Sequence, residues 1–316
     1  MYRILVSGAS GFIGSHLVKA FIKIGHDVVA LVQPNSNLWR LEECFDRISI
    51  LKNRLEDLDI GSVKEPLKGV KIIYHLAAAG VNRLSQNEDI ILQSNILGTL
   101  HILKLARALE VERFIYCGSC FEYSPGFQIS EDQIPMPVSE YGVSKSAAWM
   151  LVNMFYYRYG LPVVTFRPFT VYGPFEAGYR LIPSTIIKAI NKLDIELTTG
   201  EQMRDFVFIK DAIDILIKSI NFSSCIGETF NICTGMATSV KDVVHLILEL
   251  CGSSVKPIFG ARGCQDTEGM SWSGNPQKTA QRLGWQAKTD LRQGLQETIE
   301  WFKREHVKYK EYSVKL

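Results

Sequence analysis

The sequence lacks three features that would assign it to a simple class. Lys and Arg (35) nearly balance Asp and Glu (33), for a formal net charge of +2, so we expect no nucleic-acid partner and interpret the lysine-rich segment 303–315 as a solvated end. No apolar run approaches the roughly 20 residues that a bilayer requires, so we expect no membrane partner. A strand-like segment follows Met1 directly, which predicts no leader and a cytoplasmic location.

Paired cysteine spacing is nearly absent among the seven cysteines. Only Cys117-Gly-Ser-Cys120 has the Cys-x-x-Cys spacing of redox and zinc sites. No second Cys or His pair stands nearby to complete a metal site, and the motif ends a strand instead of opening a helix, where a thiolate is stabilised. We therefore predict two reduced thiols and no metal.

A glycine-rich turn is the most informative feature that is present. A strand-like segment, residues 2–7, runs into Gly8-Ala-Ser-Gly11-Phe-Ile-Gly14 and then into an apolar-periodic segment, residues 15–24. A tight strand-to-helix turn needs residues without a Cβ, and a diphosphate reaches the helix N–H groups only where no side chain blocks it. In the first βα unit this pattern predicts a dinucleotide-phosphate site; the alternative is an ordinary helix-capping turn.

Short apolar segments alternate with helical segments through the first two-thirds of the chain. The predicted strands are residues 4–6, 28–32, 48–51, 72–76, 113–117 and 163–167. The predicted helices between them are residues 15–24, 38–45, 87–109 and 141–159. This alternation predicts an α/β fold with a doubly wound parallel (Rossmann) sheet covered on both faces.

Beyond residue 168 the pattern changes. It predicts a helix that Pro183 opens, further strands at residues 206–209 and 229–232, a helix at residues 211–220, and two amphipathic helices in residues 240–306. We interpret these segments as a smaller C-terminal substrate-binding lobe that closes over the carboxyl edge of the sheet. The predicted dinucleotide-binding domain is residues 1–170, to which residues 205–235 return; residues 171–204 and 236–316 form the lobe.

Tyr141 and Lys145 form an i, i+4 pair at the start of a long predicted helix. A neighbouring ammonium stabilises phenolate, so Lys145 would lower the pKa of Tyr141 and make it a usable proton donor or acceptor. The alternative is a surface Tyr-Lys pair, which is common on helices. Ser119 ends the strand just before this helix, at the edge where a cofactor ring would lie.

Several ordered segments resemble the extended short-chain dehydrogenase/reductases, in the branch of nucleotide-sugar epimerases and dehydratases. The segments are Gly8 to Gly14, His75-Leu-Ala-Ala78, Asn95-Ile-Leu-Gly-Thr99, Ser119 with Tyr123, Tyr141 to Lys145, Arg167-Pro-Phe-Thr-Val-Tyr-Gly-Pro174 and Arg204-Asp-Phe206. The resemblance implies that Tyr141 exchanges a proton with a sugar oxygen, that Ser119 hydrogen-bonds to that oxygen, and that Lys145 holds the nicotinamide ribose. The contacts that it implies for the dinucleotide are Gly8, Ser10, Gly11, Phe12, Ile13, Gly14, Leu55, Leu76, Ala77, Ala78, Tyr141, Lys145 and Pro168.

On the substrate side, the resemblance implies that Arg204 grips a diphosphate, which suits its planar fork. Arg180 would line the nucleotide site; a salt bridge at the rim is the alternative. Thr170 stands where many relatives have asparagine, and Cys120 and Phe121 replace the acidic pair of the 4,6-dehydratases. This replacement argues against dehydration, although Glu122 follows as a candidate acid.

The end of the second predicted strand has no carboxylate. An NAD-preferring site uses one there to bind both ribose hydroxyls, and it would repel a 2′-phosphate. The chain instead has Asn35, Ser36 and Arg40, which could surround a phosphate. We therefore predict NADP with NAD as the alternative, in which case Arg40 is an exposed helix residue.

Three functions are compatible with these residues. The first is an NADPH-dependent reductase of a nucleoside-diphosphate-linked 4-keto-6-deoxy sugar, because residues 198–206 and the segment 283–285 resemble the CDP-abequose and CDP-paratose synthases. The second is a nucleotide-sugar 4-epimerase with tightly bound NAD, and the third an inactive dinucleotide-binding sensor or scaffold. Residues 149–159 are apolar on nearly every face, which predicts a homodimer through this helix and the helix near residue 100; burial beneath the lobe is the alternative.

Overall fold

The structure is a computed structural model that describes residues 1–80, 87–264, 269–305 and 309. In these residues the strands are β1 (Arg3–Ser7), β2 (Asp27–Val32), β3 (Ser49–Lys52), β4 (Val70–His75), β5 (Arg113–Cys117), β6 (Gly126–Ile129), β7 (Val163–Pro168), β8 (Thr170–Tyr172), β9 (Glu196–Leu197), β10 (Met203–Phe208), β11 (Thr229–Ile232), β12 (Ala237–Ser239), β13 (Ile258–Phe259) and β14 (Trp272–Gly274). The α-helices are α1 (Phe12–Lys23), α2 (Ile60–Val63), α3 (Glu88–Leu92), α4 (Gly98–Ala108), α5 (Glu140–Tyr159), α6 (Leu181–Asn191), α7 (Ile209–Lys218), α8 (Val240–Cys251), α9 (Gln277–Leu283) and α10 (Leu291–Glu305).

A seven-stranded parallel sheet has the strand order β11-β7-β5-β4-β1-β2-β3. Both of its faces are buried, because alternate residues of one strand enter different cores. Val6 of β1 packs in the core that contains Phe21 of α1, whereas Leu5 packs in the core that contains Val152 of α5. The prediction of a doubly wound parallel α/β sheet is confirmed.

The strand order reverses beside β1. The chain continues outward to β2 and β3 on one side, and to β4, β5, β7 and β11 on the other. Ligands of such sheets bind at this reversal, outside the carboxyl ends of the strands. Gly8 and Leu76, which follow β1 and β4, lie there: Gly8 N donates to Leu31 O and Leu76 N to Ser7 O, each at 3.2 Å. The fold therefore places the glycine turn at the ligand edge of the sheet.

A second sheet has the order β12-β10-β14-β6, with β8 paired to β10, and a two-stranded sheet joins β13 to β9. The predicted strand at residues 229–232 is β11 of the seven-stranded sheet. The predicted strand at residues 206–209 corresponds to β10, which belongs to the second sheet. Strand β6 also belongs to the second sheet, although its residues fall inside the range 1–170 that we assigned to the first domain. The division into residues 1–170, 171–204, 205–235 and 236–316 otherwise remains a prediction.

Two predicted helices have a different form. The segment predicted as a helix at residues 38–45 is a 3₁₀-helix, Trp39–Arg47, with Leu41 and Cys44 buried. The segment at residues 87–109 is divided into α3 and α4 by a π-helical turn, Gln93–Leu97, whose buried residue is Asn95. The amide of Asn95 binds the backbone of Ala79 in the loop after β4.

The C-terminal part of the chain also differs from expectation. The described residues of this part, 240–264 and 269–305, contain three α-helices, α8, α9 and α10, where we predicted two. Helix α6 begins at Leu181, two residues before the Pro183 that was predicted to open it, and proline is tolerated in a first turn because the N–H groups there have no intrahelical acceptor. Among the helices described, none combines the length and the apolar character needed to cross a bilayer.

Candidate active site

Backbone atoms occupy the space that Cβ atoms would need in the glycine turn. Gly8 has φ +71°, in the left-handed region, and a Cβ on it would lie 2.7 Å from Ala77 N. A Cβ on Gly11 would lie 3.1 Å from Gly8 O, and a Cβ on Gly14 would collide with the same atom. Because backbone cannot move aside as a side chain can, larger residues are excluded at Gly8 and Gly14.

The turn presents the N-terminus of α1. Gly11 is the N-cap residue and supplies no side-chain cap, so the N–H groups of Phe12, Ile13 and Gly14 have no partner within the helix. These groups and the helix dipole favour an anion, and the half-buried Ser10 stands beside them. The residues present therefore fit a dinucleotide diphosphate.

A buried polar chain fixes the neighbouring loop after β4. His75 Nδ1 lies 2.7 Å from Ser7 Oγ, and its Nε2 lies 2.9 Å from Thr99 Oγ1. Burial lowers the pKa of His75 to about 3, so this imidazole is neutral and acts as a structural link. The half-buried segment Leu76-Ala77-Ala78 follows directly, and a Cβ on Gly80 would lie 3.3 Å from Tyr141 Cδ2. This loop thus reaches from the glycine turn to Tyr141.

Ser119, Tyr141 and Lys145 meet at the carboxyl end of β5. Ser139 caps α5 by accepting a hydrogen bond from Gly142 N at 3.1 Å, which sets Tyr141 in the first turn. The Ser119 side chain lies beside the phenol of Tyr141 and favours its ionised form. Lys145 Nζ donates to Cys117 O at 2.5 Å and lies 4.5 Å from the centroid of the Tyr116 ring. The three predicted catalytic residues are therefore together, which excludes the alternative of a surface Tyr-Lys pair.

The prediction of a lowered pKa for Tyr141 is wrong. Burial raises the pKa of the phenol above its ordinary value, and the neighbouring Ser119 side chain opposes this increase without reversing it. Burial also lowers the pKa of Lys145, whose ammonium is directed to the Cys117 carbonyl. Desolvation is the largest cause of the raised pKa of Tyr141, and the nearby Cys117, Cys120 and Glu122 add to it, so Tyr141 is held in its protonated form.

Glu122 and Arg167 form a buried ion pair behind Ser119. Arg167 Nε lies 2.7 Å from Glu122 Oε2, and both side chains are at most 1% exposed. Glu122 Oε1 accepts a hydrogen bond from Ser119 N at 2.8 Å, within a capping box. Both carboxylate oxygens are thus engaged. Glu122 is not available as the acid of a dehydration, which removes the one acidic candidate that the sequence left open.

The pair continues into a longer network. Arg167 Nη1 donates to Tyr123 OH at 2.8 Å, and Tyr123 OH donates to Asn231 Oδ1 at 3.0 Å. Asn231 Nδ2 donates to Ile129 O at 2.9 Å, so the network passes from the large sheet to β6 of the second one. The sequence analysis assigned no role to Arg167 or Asn231. A charged residue inside the otherwise apolar strand β7 was the available signal.

The end of β2 has no acidic side chain, as predicted, but Arg40 is not an exposed helix residue. Asn35 is exposed and Ser36 half-buried. Arg40 Nε donates to Phe175 O at 2.8 Å, and its guanidinium carbon lies 4.7 Å from the Trp39 ring centroid. These contacts orient Arg40 from the 3₁₀-helix that follows β2.

Arg204 lies near Ser119 on the side of the smaller lobe. It is half-buried on β10, with its guanidinium carbon 5.2 Å from the Trp272 ring centroid, and its charge acts on the buried thiol of Cys120. The Phe121 ring lies between, with centroid distances of 5.0 Å to Trp272 and 6.2 Å to Tyr141. The sequence analysis missed Trp272, because nothing local to residue 272 marks it.

The other residues that were predicted to contact the dinucleotide or the substrate lie on different elements of the fold. Thr170 starts β8 and pairs with Phe206, and the half-buried Pro168 ends β7. Leu55 is buried, and its carbonyl lies 2.9 Å from His101 Nδ1. Arg180 lies 3.6 Å from Glu176 in an ion pair, which is the alternative that the sequence offered for it.

Cys117 and Cys120 are buried free thiols. Burial raises the pKa of Cys117 to about 11 and that of Cys120 to about 12, so both are protonated at neutral pH. Among the described residues, no group of three or more His, Cys, Asp and Glu side chains is placed to bind a metal ion.

Comparison with known proteins gives a family for this site. The model of the NAD dependent epimerase/dehydratase family matches residues 4–233. The chain belongs to this family. It is 30% identical to UDP-glucose 4-epimerase of Mycolicibacterium smegmatis over 314 residues, which cover 95% of this chain and 98% of that protein. It is 27% identical to CDP-abequose synthase of Salmonella muenchen over 303 residues, covering 94% of this chain and 97% of that protein.

A solved family structure agrees over nearly the whole chain. UDP-glucuronic acid 4-epimerase from Bacillus cereus, in complex with UDP-glucuronic acid and NAD, has a TM-score of 0.85 at 25% identity and covers 96% of this chain and 99% of its own. The predicted resemblance to the nucleotide-sugar branch is confirmed, and the chain is an NAD(P)-dependent nucleotide-sugar enzyme. A nucleotide sugar is its class of substrate.

The buried ion pair of this epimerase/dehydratase-family enzyme gives a first test. Glu122→Gln would leave the Arg167 guanidinium buried without a counter-charge, so we expect a loss of about 3–5 kcal/mol in the free energy of unfolding, measured with urea. Glu228→Gln is the matched control, because its partner Arg282 is half-exposed, and we expect a loss below about 1 kcal/mol. Equal losses in the two variants would contradict a buried pair that supports Ser119.

Proposed function

We propose that this enzyme reduces a nucleoside-diphosphate-linked 4-keto-6-deoxy sugar with NADPH, and that Tyr141 donates the proton. The observation that carries the proposal is the end of β2, where Asn35, Ser36 and Arg40 stand in place of a carboxylate. An uncharged and cationic surface there suits a 2′-phosphate, which a carboxylate would repel. NADPH is the form of the cofactor that reductases consume.

The catalytic residues suit proton donation. The phenol of Tyr141 carries its proton at neutral pH and would give it to the oxygen of a C4 carbonyl as the arriving hydride makes that oxygen basic. Because burial raises the pKa of Tyr141, that oxygen must become a strong base for the proton to move. The Ser119 side chain, which lies beside the Tyr141 phenol, would bind the same oxygen and hold it near the phenol. The Lys145 ammonium would stabilise the negative charge that Tyr141 acquires as it loses the proton.

The dinucleotide would lie along the ligand edge of the large sheet. Gly8, Gly11 and Gly14 would admit its diphosphate to the N-terminus of α1, and the loop Leu76-Ala77-Ala78 would line its path towards Lys145. When bound, NADPH supplies the hydride that forms the new C–H bond at C4. The proton from Tyr141 completes the hydroxyl, and solvent restores the phenol.

The substrate would enter between this edge and the smaller lobe. Arg204 beside Trp272 would bind the diphosphate, and Phe121 would pack against the sugar near Tyr141. Cys120 and Thr170 would border the same space, and Arg180, paired with Glu176, would lie at its rim. Dehydration is not part of the proposal, since both oxygens of Glu122 are engaged.

A second candidate is 4-epimerisation with tightly bound NAD. It is supported by the 30% identity to a UDP-glucose 4-epimerase and by the likeness to a UDP-glucuronic acid 4-epimerase that binds NAD. An inactive sensor or scaffold is disfavoured, because Ser119, Tyr141 and Lys145 are all present and in contact range.

We also propose a homodimer through α4 and α5. Helix α5 leaves Met150 59% and Tyr157 81% exposed, although its opposite face is in the core. Leu97, in the turn before α4, is 46% exposed. A second copy of this apolar surface would cover it, since an isologous contact pairs like with like.

The reaction is tested by incubating the enzyme with NADPH and CDP-, UDP- or dTDP-linked 4-keto-6-deoxyhexose. We expect NADPH oxidation, followed at 340 nm, in step with loss of the keto sugar. Interconversion of UDP-glucose and UDP-galactose without added cofactor would favour the epimerase. Binding of NADPH without turnover of any of these substrates would favour the sensor.

Tyr141→Phe removes the proton donor and keeps the ring. We expect kcat to fall by at least about 100-fold, because general acid catalysis contributes about 10²–10⁴. The Kd for NADPH, measured by fluorescence, should remain within about twofold, since the glycine turn is untouched. A Tyr141→Phe enzyme of unchanged kcat would show that another group donates the proton.

The dimer is tested by sedimentation velocity at micromolar concentration. We expect Tyr157→Glu to convert a wild-type dimer into monomers, because a carboxylate would be buried in the contact without a partner. Ile24→Glu is the control, because it places the same charge on an exposed apolar residue outside the proposed contact. Ile24 lies at the end of α1 and is 53% exposed. A wild-type enzyme that sediments as a monomer would contradict the proposed dimer contact.

A further inference from the structure

The loop from Gly173 to Glu176, called here the 173–176 loop, contacts both segments that we assign to the dinucleotide. His16 Nε2, on α1, lies 2.8 Å from Pro174 O, and the ring of His16 lies 5.6 Å from that of Phe12. Arg40 Nε donates to Phe175 O at 2.8 Å. The loop therefore joins the first turn of α1 to the guanidinium that follows β2.

The backbone of this loop is strained. Phe175 has φ +67°, a left-handed conformation that an aromatic residue rarely adopts and that costs about 1–3 kcal/mol. Such a conformation persists only where the surroundings hold it. The Phe175 ring lies 4.6 Å from the Trp301 ring and 5.5 Å from the Trp39 ring, and Lys19 Nζ lies 3.8 Å from its centroid.

Tyr309 contacts the same loop from far along the chain. Its side chain is buried, and its hydroxyl donates to Glu176 O at 3.0 Å across 133 residues of sequence. Its ring lies 5.6 Å from Trp39 and 5.1 Å from Phe302. Tyr309 thus binds the loop through Glu176 and packs against Trp39, the residue next to Arg40.

Two consecutive carbonyls of the loop therefore serve two different partners. Phe175 O accepts from Arg40, and Glu176 O accepts from Tyr309. These carbonyls belong to neighbouring residues of one short loop, so a displacement of the loop that follows loss of the Tyr309 bond would also displace the acceptor of Arg40. This connection relates the C-terminal segment to the adenosine end of the dinucleotide site.

We propose that Tyr309 is a positioning residue for the adenosine end of the dinucleotide site, acting on Arg40 through the 173–176 loop. The assignment of Arg40 to the 2′-phosphate rests on the proposed function. The hydrogen bonds that connect Tyr309 to Arg40 through the 173–176 loop do not depend on it. The competing explanation is that Tyr309 only stabilises the fold. The two differ in whether Tyr309 still matters when Arg40 is absent.

The test is a double-mutant cycle on dinucleotide affinity, not on turnover. The Kd values for NADPH and NADH are measured by quenching of tryptophan fluorescence in the wild type, Tyr309→Phe, Tyr309→Ala, Arg40→Ala and the double variant Tyr309→Ala/Arg40→Ala. Tyr309→Phe removes only the hydroxyl and keeps the ring in the core. Tyr2→Ala is the matched control, because Tyr2 precedes β1, at the edge of the sheet opposite the glycine turn.

We expect Tyr309→Phe to raise the Kd for NADPH about threefold and Tyr309→Ala about tenfold, the range for one lost hydrogen bond and its packing. In the Arg40→Ala background the same substitution should change the Kd less than twofold. Amide hydrogen exchange of residues 175 and 176 should also accelerate in Tyr309→Phe without ligand, which reports the loop directly and shows whether the variant is folded.

Three results would overturn the proposal. These are an unchanged Kd in folded Tyr309 variants, an equal rise of the Kd in the two backgrounds, and unchanged amide exchange at residues 175 and 176. A wild-type enzyme that binds NADH more tightly than NADPH would contradict the proposed NADPH preference alone. The cycle would then be read with NADH, so the two failures are distinguishable.

Discussion

The buried ion pair between Glu122 and Arg167 is the interaction on which the arrangement of this enzyme depends. It joins the turn after β5 to β7, and through Tyr123 and Asn231 it reaches the second sheet. Two charges this deep are tolerated because each faces the other, both oxygens of Glu122 accept hydrogen bonds, and Arg167 also donates to Tyr123 OH. Ser119 N donates to Glu122, so Ser119, the proposed partner of the sugar oxygen, is placed by the same contacts that connect the sheets.

Burial also decides the chemistry available at the site. The same desolvation that keeps His75 neutral keeps the thiols of Cys117 and Cys120 and the phenol of Tyr141 protonated. A sequence argument about Tyr141 and Lys145 considers two charges and their spacing, and it predicted a lowered pKa. In the structure both groups are removed from solvent, and this desolvation is the largest cause of the raised pKa of Tyr141. Tyr141 therefore keeps its proton unless a stronger base accepts it.

Local rules made part of this site predictable. Gly8 and Gly14 are required by steric exclusion within one turn, and the spacing of Tyr141 and Lys145 is fixed by one helix. Arg167, Asn231 and Trp272 could not be assigned, because each acts on residues more than 40 positions away and no short pattern records such a contact. A helix was predicted at residues 38–45, and the structure has the 3₁₀-helix Trp39–Arg47 there.

By itself the sequence determined the alternation of strands and helices, the glycine turn, and the identity and order of Ser119, Tyr141 and Lys145. These follow from backbone sterics and helical periodicity, which act over a few residues. The tertiary structure alone decided the protonation of Tyr141, the engagement of both oxygens of Glu122, and the connection from Tyr309 to Arg40. Desolvation and contacts between distant segments exist only when the chain is packed, so no local pattern could reveal them.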